Sequence, residues 1–321
     1  MPRVSSTGVP KALRAGVVGY GAFGRHHASK YAQIPGVTLA GICDPSIEAR
    51  KNAMAAHGVP TCSDIRELLG QVDIVSICAP AVTHAPLVRA FLNVGCDVLV
   101  EKPIATTLPE ADALIALAEV KGRVLTVGHQ ERYVFASTGL LDVAHPPREI
   151  ECWRTGPWTG RGADVSAVLD LMIHDLDLVH CLVPPPVVDV EAHGRALHGR
   201  LNDEVTAVVT FANGTVARLT TSRISGTRRR GMRAVYDDGV VEIDFVARTM
   251  KNTTGRVLSP PHLDDPLGES VQGFVAAARE GADSLVKPEE ARRALETALL
   301  IEDAAAPSAE PRRAGAYALH A

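Results

Sequence analysis

The stretch Gly16-Val17-Val18-Gly19-Tyr20-Gly21-Ala22-Phe23-Gly24-Arg25-His26-His27 decides the fold. An apolar run at 15–19 ends in a glycine-rich turn, and a helical segment at 22–32 follows. G-x-G-x-x-G between a strand and a helix suits a dinucleotide: Gly19 permits the tight turn, Gly21 admits the pyrophosphate, and Gly24 lets helix and strand pack closely. Free amides at the helix start carry the partial positive charge that phosphates favour. Glycine-rich turns are common, so the context decides. The next apolar run, 37–43, ends at Asp44, 25 residues after Gly19, near the ~20 expected of an acid that accepts from ribose hydroxyls. A carboxylate there repels a 2′-phosphate, which favours NAD over NADP. Arg50, six positions on, reads as directed to solvent.

Further along, apolar runs at 74–79, 97–100 and 124–127 alternate with helical ones at 46–57, 84–93 and 109–119, with a helical turn at 64–69. That alternation predicts a doubly wound parallel sheet with right-handed crossovers. After Gly128 the pattern changes. A strand at 149–154 precedes a helical stretch at 165–182, which Pro184-Pro185-Pro186 stops. Alternating runs follow at 187–197, 204–211, 215–222, 232–236 and 240–245, with Asn213-Gly214 as a hairpin turn. Helices near 268–280 and 288–304 close the chain, the second opened by Pro288 with Glu289 and Glu290 in its first turn. The expected fold is α/β: an N-terminal Rossmann domain with a doubly wound parallel sheet, then a C-terminal α+β domain with a large open, mainly antiparallel sheet. The expected boundaries are a loose 1–14, a nucleotide domain at 15–128, a substrate and oligomerisation domain at 129–306 whose last helix packs back on the first domain, and a tail at 307–321.

A chain of 321 residues exceeds what one core of roughly 250 residues supports, which agrees with two domains. The net charge of −4 carries no nucleic-acid footprint. The run Arg228-Arg229-Arg230 reads as a solvated strand edge. The six cysteines form no C-x-x-C pair and suit reduced thiols in the cytoplasm. No apolar stretch approaches the ~18 residues of a membrane span, and the first residues have no signal-peptide core.

Two segments carry candidate chemistry. Asp97-Val98-Leu99-Val100-Glu101-Lys102-Pro103 places a lysine at the carboxyl end of a parallel strand, where such sheets bind ligands; a solvent-exposed lysine is the plainer alternative. In Leu169-Asp170-Leu171-Met172-Ile173-His174-Asp175-Leu176-Asp177, a helix puts Asp170, His174 and Asp177 on one face. A carboxylate one turn from an imidazole can raise its basicity and hold its orientation for acid–base work. An ordinary polar helix face is the alternative. A metal site is disfavoured, because no cysteine or second histidine joins the pair.

Taken together, the glycine-rich start, Pro80 with His84, Glu101-Lys102-Pro103, Gly128-His129 with Arg132, and Asp170…His174…Asp177 resemble the Gfo/Idh/MocA family of oxidoreductases over roughly 15–305. The resemblance implies NAD, held by Gly19, Gly21, Ala22, Phe23, Gly24, Asp44, Ala79, Pro80, Thr83, His84, Glu101 and Lys102. It implies that Lys102 and His174 meet the substrate carbinol beside the nicotinamide, with Asp170 assisting and Arg132 and Asp177 on the substrate side. It further implies a homo-oligomer, dimer or tetramer, built through the C-terminal sheet. Met172 stands where the family often has glycine, and Val134-Phe135 where it has Asn-Pro or Asp-Pro; both bear on pocket shape. The segment Arg154-Thr155-Gly156-Pro157-Trp158-Thr159-Gly160-Arg161 resembles a subset of the family, the UDP-N-acetylglucosamine 3-dehydrogenases. That implies oxidation at C3 of the sugar nucleotide on the route to lipid A, with an aminotransferase acting next. Arg154 and Arg161 would then meet the diphosphate and Trp158 a ring, against the alternative of surface or cofactor-side packing. A free polyol, inositol or aldose as substrate, and a non-catalytic NAD(P)-sensing regulator, stay open.

Overall fold

Six parallel strands in the order β3-β2-β1-β4-β5-β6 form the first sheet of the structure, a computed structural model that describes residues 12–160 and 162–306. They are β1 (Leu13–Val18), β2 (Val37–Cys43), β3 (Thr61–Cys62), β4 (Ile74–Ile77), β5 (Asp97–Val100) and β6 (Leu125–Val127). Helices α1 (Gly24–Gln33), α2 (Ile47–His57), α3 (His84–Asn93) and α4 (Leu108–Lys121) make the crossovers. β4, β5 and β6 are buried along their whole length, as expected of strands covered by helices on both faces. Helix boundaries follow local chemistry. Ser46 caps α2 by accepting from the Ala49 amide, and Thr107 caps α4 by accepting from the Glu110 amide.

A short α5 (Glu131–Ala136) leads to the second sheet, order β13-β12-β11-β7-β10-β9-β8. Its strands are β7 (Glu149–Thr155), β8 (Val187–Arg195), β9 (Glu204–Phe211), β10 (Val216–Ser222), β11 (Arg229–Tyr236), β12 (Gly239–Asp244) and β13 (Thr249–Asn252). β7 and β10 run parallel and every other pair is antiparallel, so the sheet is mixed and mostly antiparallel. Asn213 and Gly214 turn β9 into β10, with the Asn213 side chain accepting from the Thr215 amide at 3.1 Å. α6 (Ile173–Leu182) and α8 (Pro288–Ala305) pack on each other and on this sheet. α7 (Pro266–Glu280) crosses back to α1, and its Val271, Phe274 and Val275 share a core with Leu13, Ala15, Val17 and Tyr31.

Three elements escape the sequence pattern: β3, only two residues long; α5, where no long period develops; and β13, an exposed edge strand. The stretch 165–182 is not one α-helix. Val168–Met172 form a π-helical turn before α6 begins. Among the described residues, no helix is long and apolar enough to cross a membrane.

Candidate active site

The order of the first sheet reverses between β1 and β4, and ligands of such sheets bind outside the strand ends at that point. A cavity of about 700 Å³ lies there. Gly19 has φ +85°, and a Cβ on it would stand 2.7 Å from the Cys78 carbonyl oxygen. A Cβ on Gly24 would collide with the Gly19 carbonyl. Gly24 therefore permits the turn from behind, and it alone of the expected cofactor residues is off the cavity wall. Gly19, Gly21, Ala22 and Phe23 line one stretch of that wall, Ala79, Pro80, Thr83 and His84 another, and Asp44, Glu101 and Lys102 complete it.

Asp44 is buried at the end of β2, where Oδ2 accepts from the Tyr20 amide (2.6 Å) and Oδ1 from the Ser46 amide (2.8 Å). A carboxylate accepts about four hydrogen bonds, so capacity remains for two ribose hydroxyls. Arg50 does not reach into solvent. Its Nη1 donates to the carbonyls of Asp44 (2.8 Å) and Pro45 (2.9 Å), bracing the strand end. The glycine edge and the oriented carboxylate fit NAD, and a 2′-phosphate would meet the negative charge of Asp44. Glu101 is held by His27 Nε2 at 3.0 Å and Gln130 Nε2 at 2.7 Å, neither of which the sequence singled out. His84 bridges two loops, Nδ1 facing the Pro103 carbonyl (2.7 Å) and Nε2 the Ala79 carbonyl (2.9 Å).

Lys102 follows β5 and donates from Nζ to the Asp170 carbonyl (2.5 Å) and to Asp170 Oδ1 (3.2 Å). Asp170 lies within the π turn. The same turn breaks the expected pairing of Asp170 with His174. The Asp170 carboxylate is spent on Lys102, and His174 Nδ1 is buried without a partner among the described residues. Burial, then the charges of Lys102 and Arg154, hold the His174 imidazole well below its ordinary range. It is therefore neutral near pH 7 and able to accept a proton. The correction is one of cause: burial first, and then cationic neighbours, keep the ring neutral, rather than a carboxylate making it more basic.

A second cavity, about 390 Å³, adjoins the first, and Phe23, Lys102, Gly162 and Asp170 line both. Its wall also carries His174, Arg154, Trp158, Arg223, Arg228 and Arg230. Arg223 secures the segment 162–165: Nη1 donates to the carbonyls of Gly162 (2.7 Å) and Val165 (3.0 Å), while Nε pairs with Asp203 at 2.7 Å. From the same segment, Asp164 accepts from the Ala81 amide at 2.9 Å and joins the wall of the first cavity.

Residues 13–129 match the oxidoreductase family with an NAD-binding Rossmann fold, and residues 141–242 match the GFO/IDH/MocA C-terminal domain. The chain belongs to the Gfo/Idh/MocA family. It is an NAD-dependent dehydrogenase. It is 38% identical over 239 residues to the UDP-N-acetylglucosamine 3-dehydrogenase of Acidithiobacillus ferrooxidans, covering 74% of this chain and 76% of that one. A crystal structure of that enzyme superposes with a TM-score of 0.83 at 34% identity, covering 91% of this chain and 97% of that chain. An inositol 2-dehydrogenase of Cereibacter sphaeroides is 26% identical over 64% of this chain and 65% of its own.

Two residues that the Gfo/Idh/MocA resemblance placed on the substrate side stand elsewhere. Arg132 and Asp177 line neither cavity. Arg132 Nε donates to Asp177 at 3.1 Å, a second guanidinium nitrogen pairs with the same carboxylate, and the third meets Glu290. Asp177 is 1% exposed, and a carboxylate that deep is tolerated only with a cation beside it. Arg154 reaches the cavity wall with its fork already filled, by Asp175 (3.1 and 2.8 Å) and Glu131 (3.2 Å). Trp158 stacks on His198, ring centroids 4.2 Å apart at 18°, and Arg223 lies over it. Arg161 falls outside the described residues. The reading of Arg228-Arg229-Arg230 as a solvated edge holds for exposure at Arg228 and Arg229 but is corrected in place: β11 lies inside the sheet, Arg230 is half-buried, and Arg228 and Arg230 line the second cavity. The signal for Arg230 was the strand alternation: in β11, Arg229 lies over Trp153 and the next residue faces the other way.

Proposed function

We propose that this chain oxidises a sugar-nucleotide hydroxyl to a ketone, at C3 of UDP-N-acetylglucosamine, with NAD as the acceptor. One observation carries the reading: the Lys102 ammonium, fixed by Asp170, stands where the cofactor cavity meets a second cavity that holds His174 and an arginine-rich wall. The relative in Acidithiobacillus ferrooxidans supports the substrate. When bound, NAD supplies the hydride acceptor; Gly19, Gly21 and Asp44 are the residues that would hold it. His174, neutral, takes the hydroxyl proton as the carbon–hydrogen bond breaks. Lys102 donates a hydrogen bond to the same oxygen and stabilises its developing charge. Asp170 positions the ammonium.

Within this reading, residues 15–128 serve the cofactor and 129–306 the substrate, and copies of the chain assemble through the open face of the second sheet in the cytoplasm. The product is a 3-keto sugar nucleotide, suited to an aminotransferase on the route to lipid A. A free inositol or polyol is the second reading, favoured by the Cereibacter sphaeroides relative; an uncharged polyol leaves the basic wall without purpose. The test incubates the protein with NAD and UDP-N-acetylglucosamine, with and without an aminotransferase and glutamate, following reduced cofactor and the mass of the sugar. Loss of two hydrogens, or a 3-amino product, supports the reading. No product in the coupled assay, with NAD binding demonstrated, rejects it for a polyol or aldose.

A further inference from the structure

Arg230 of β11 stands directly across from Arg154 of β7 in an antiparallel pair. Like charges in that position repel. Both guanidiniums reach the same oxygen, Glu131 Oε1, at 3.1 and 3.2 Å, so one carboxylate serves two cations. Burial, with Arg154 next to it, pushes the Arg230 guanidinium below its ordinary value. Arg228 is exposed and has no ion pair among the described residues. The wall thus presents five cations, Lys102, Arg154, Arg223, Arg228 and Arg230. Four carboxylates answer them: Asp170, Asp175, Asp203 and Glu131. Such a surplus destabilises the chain alone and favours an anionic guest.

We propose that Arg228 and Arg230 form an oxyanion subsite of the second cavity that takes the diphosphate of a nucleotide-linked sugar. The proposal rests on the sugar-nucleotide reading above and moves the diphosphate partners away from Arg154, whose fork is filled. Two guanidiniums, one at the start of β11 (Arg230) and one on the residue just before the strand (Arg228), suit a doubly charged group better than a single sugar carboxylate. A planar guanidinium meets phosphate oxygens through paired hydrogen bonds.

The test uses full-length protein saturated with NADH, so that the cofactor's own diphosphate site is filled. UDP, inorganic pyrophosphate and glucuronate are titrated calorimetrically into the wild type, R228Q, R230Q and R230K, with R229Q as control. Thermal melting and NADH affinity verify that each variant is folded. The expected result is UDP and pyrophosphate binding that weakens ten- to a hundredfold in R228Q and R230Q, by the loss of a charged hydrogen-bonding group. R229Q should bind as wild type, and R230K between the two. Equal UDP binding in folded R228Q and R230Q, or glucuronate binding with the same arginine dependence while UDP fails, overturns the proposal. Arginine-dependent UDP binding without turnover of UDP-N-acetylglucosamine removes the oxidation reading and leaves the subsite. Turnover with an unchanged KM in both variants does the reverse.

Discussion

The Lys102 ammonium meets Asp170 twice, once at its backbone carbonyl and once at its carboxylate. This double hold fixes a flexible side chain at the seam of two cavities, and it separates charge supply from charge placement. Lys102→Ala should lower kcat by roughly 10²–10⁴-fold, the range of a lost proton-transfer or charge-stabilising group. Asp170→Asn keeps the carbonyl acceptor and should cost less, on the order of tenfold. Steady-state kinetics with the identified substrate, beside NAD titration, checks both. Near-normal kcat in Lys102→Ala would remove the lysine from the chemistry.

His174 makes its own forecast. Burial first, then Lys102 and Arg154, keep its pKa well below the histidine norm. A base in that state is ready throughout the neutral range. The acid limb of kcat/KM should therefore fall below the usual ~6.5. Arg230 is another of the cations that depress the ring, so Arg230→Gln should move that limb upward. A limb at or above the ordinary histidine value in the wild type would contradict the assignment of the base.

The Arg132–Asp177 pair predicts a fault of stability rather than of substrate binding. Asp177→Ala leaves a buried guanidinium short of its main partner, which costs about 3–5 kcal/mol. Denaturant unfolding should record the loss, while KM of the protein that remains folded stays near wild type. A selective rise in KM without loss of stability would return Asp177 to the substrate side.

His180 ties stability to pH. Burial, with Arg293 nearby, lowers its pKa to about 4, while the unfolded chain keeps the ordinary value near 6.5. Between those limits the unfolded state binds the extra proton, so this contribution is complete above ~6.5 and is lost as pH falls toward 4. The loss should reach roughly 2–3 kcal/mol. His180→Gln, tested by melting from pH 7 to 4.5, should flatten the slope. An unchanged slope would show that other groups govern it.

The nucleotide half was readable because its chemistry is local. Gly19, Gly24 and Asp44 act within one strand–turn–helix unit and the neighbouring strand end, so spacing alone reveals them. The strand terminus alone left Lys102 open between a site residue and a solvent-exposed lysine, and only the family resemblance singled it out. The second half resisted because its side chains find partners far along the chain. Asp177 and His174 sit three residues apart, yet one is sealed against Arg132 while the other opens on a cavity. A helical wheel assumes regular spacing, and the π turn at Val168–Met172 removes that assumption where it mattered. Arg230 became legible only when the register of β7 and β11 set it across from Arg154.

The return of α7 to the first sheet carries a consequence for biosynthesis. Val271, Phe274 and Val275 complete the layer that Tyr31 and β1 begin. A nascent chain that has already formed its glycine-rich turn still exposes an oily groove, and it must emerge from the ribosome past residue 275 before that groove can close. The cofactor half is thus encoded first and finished late.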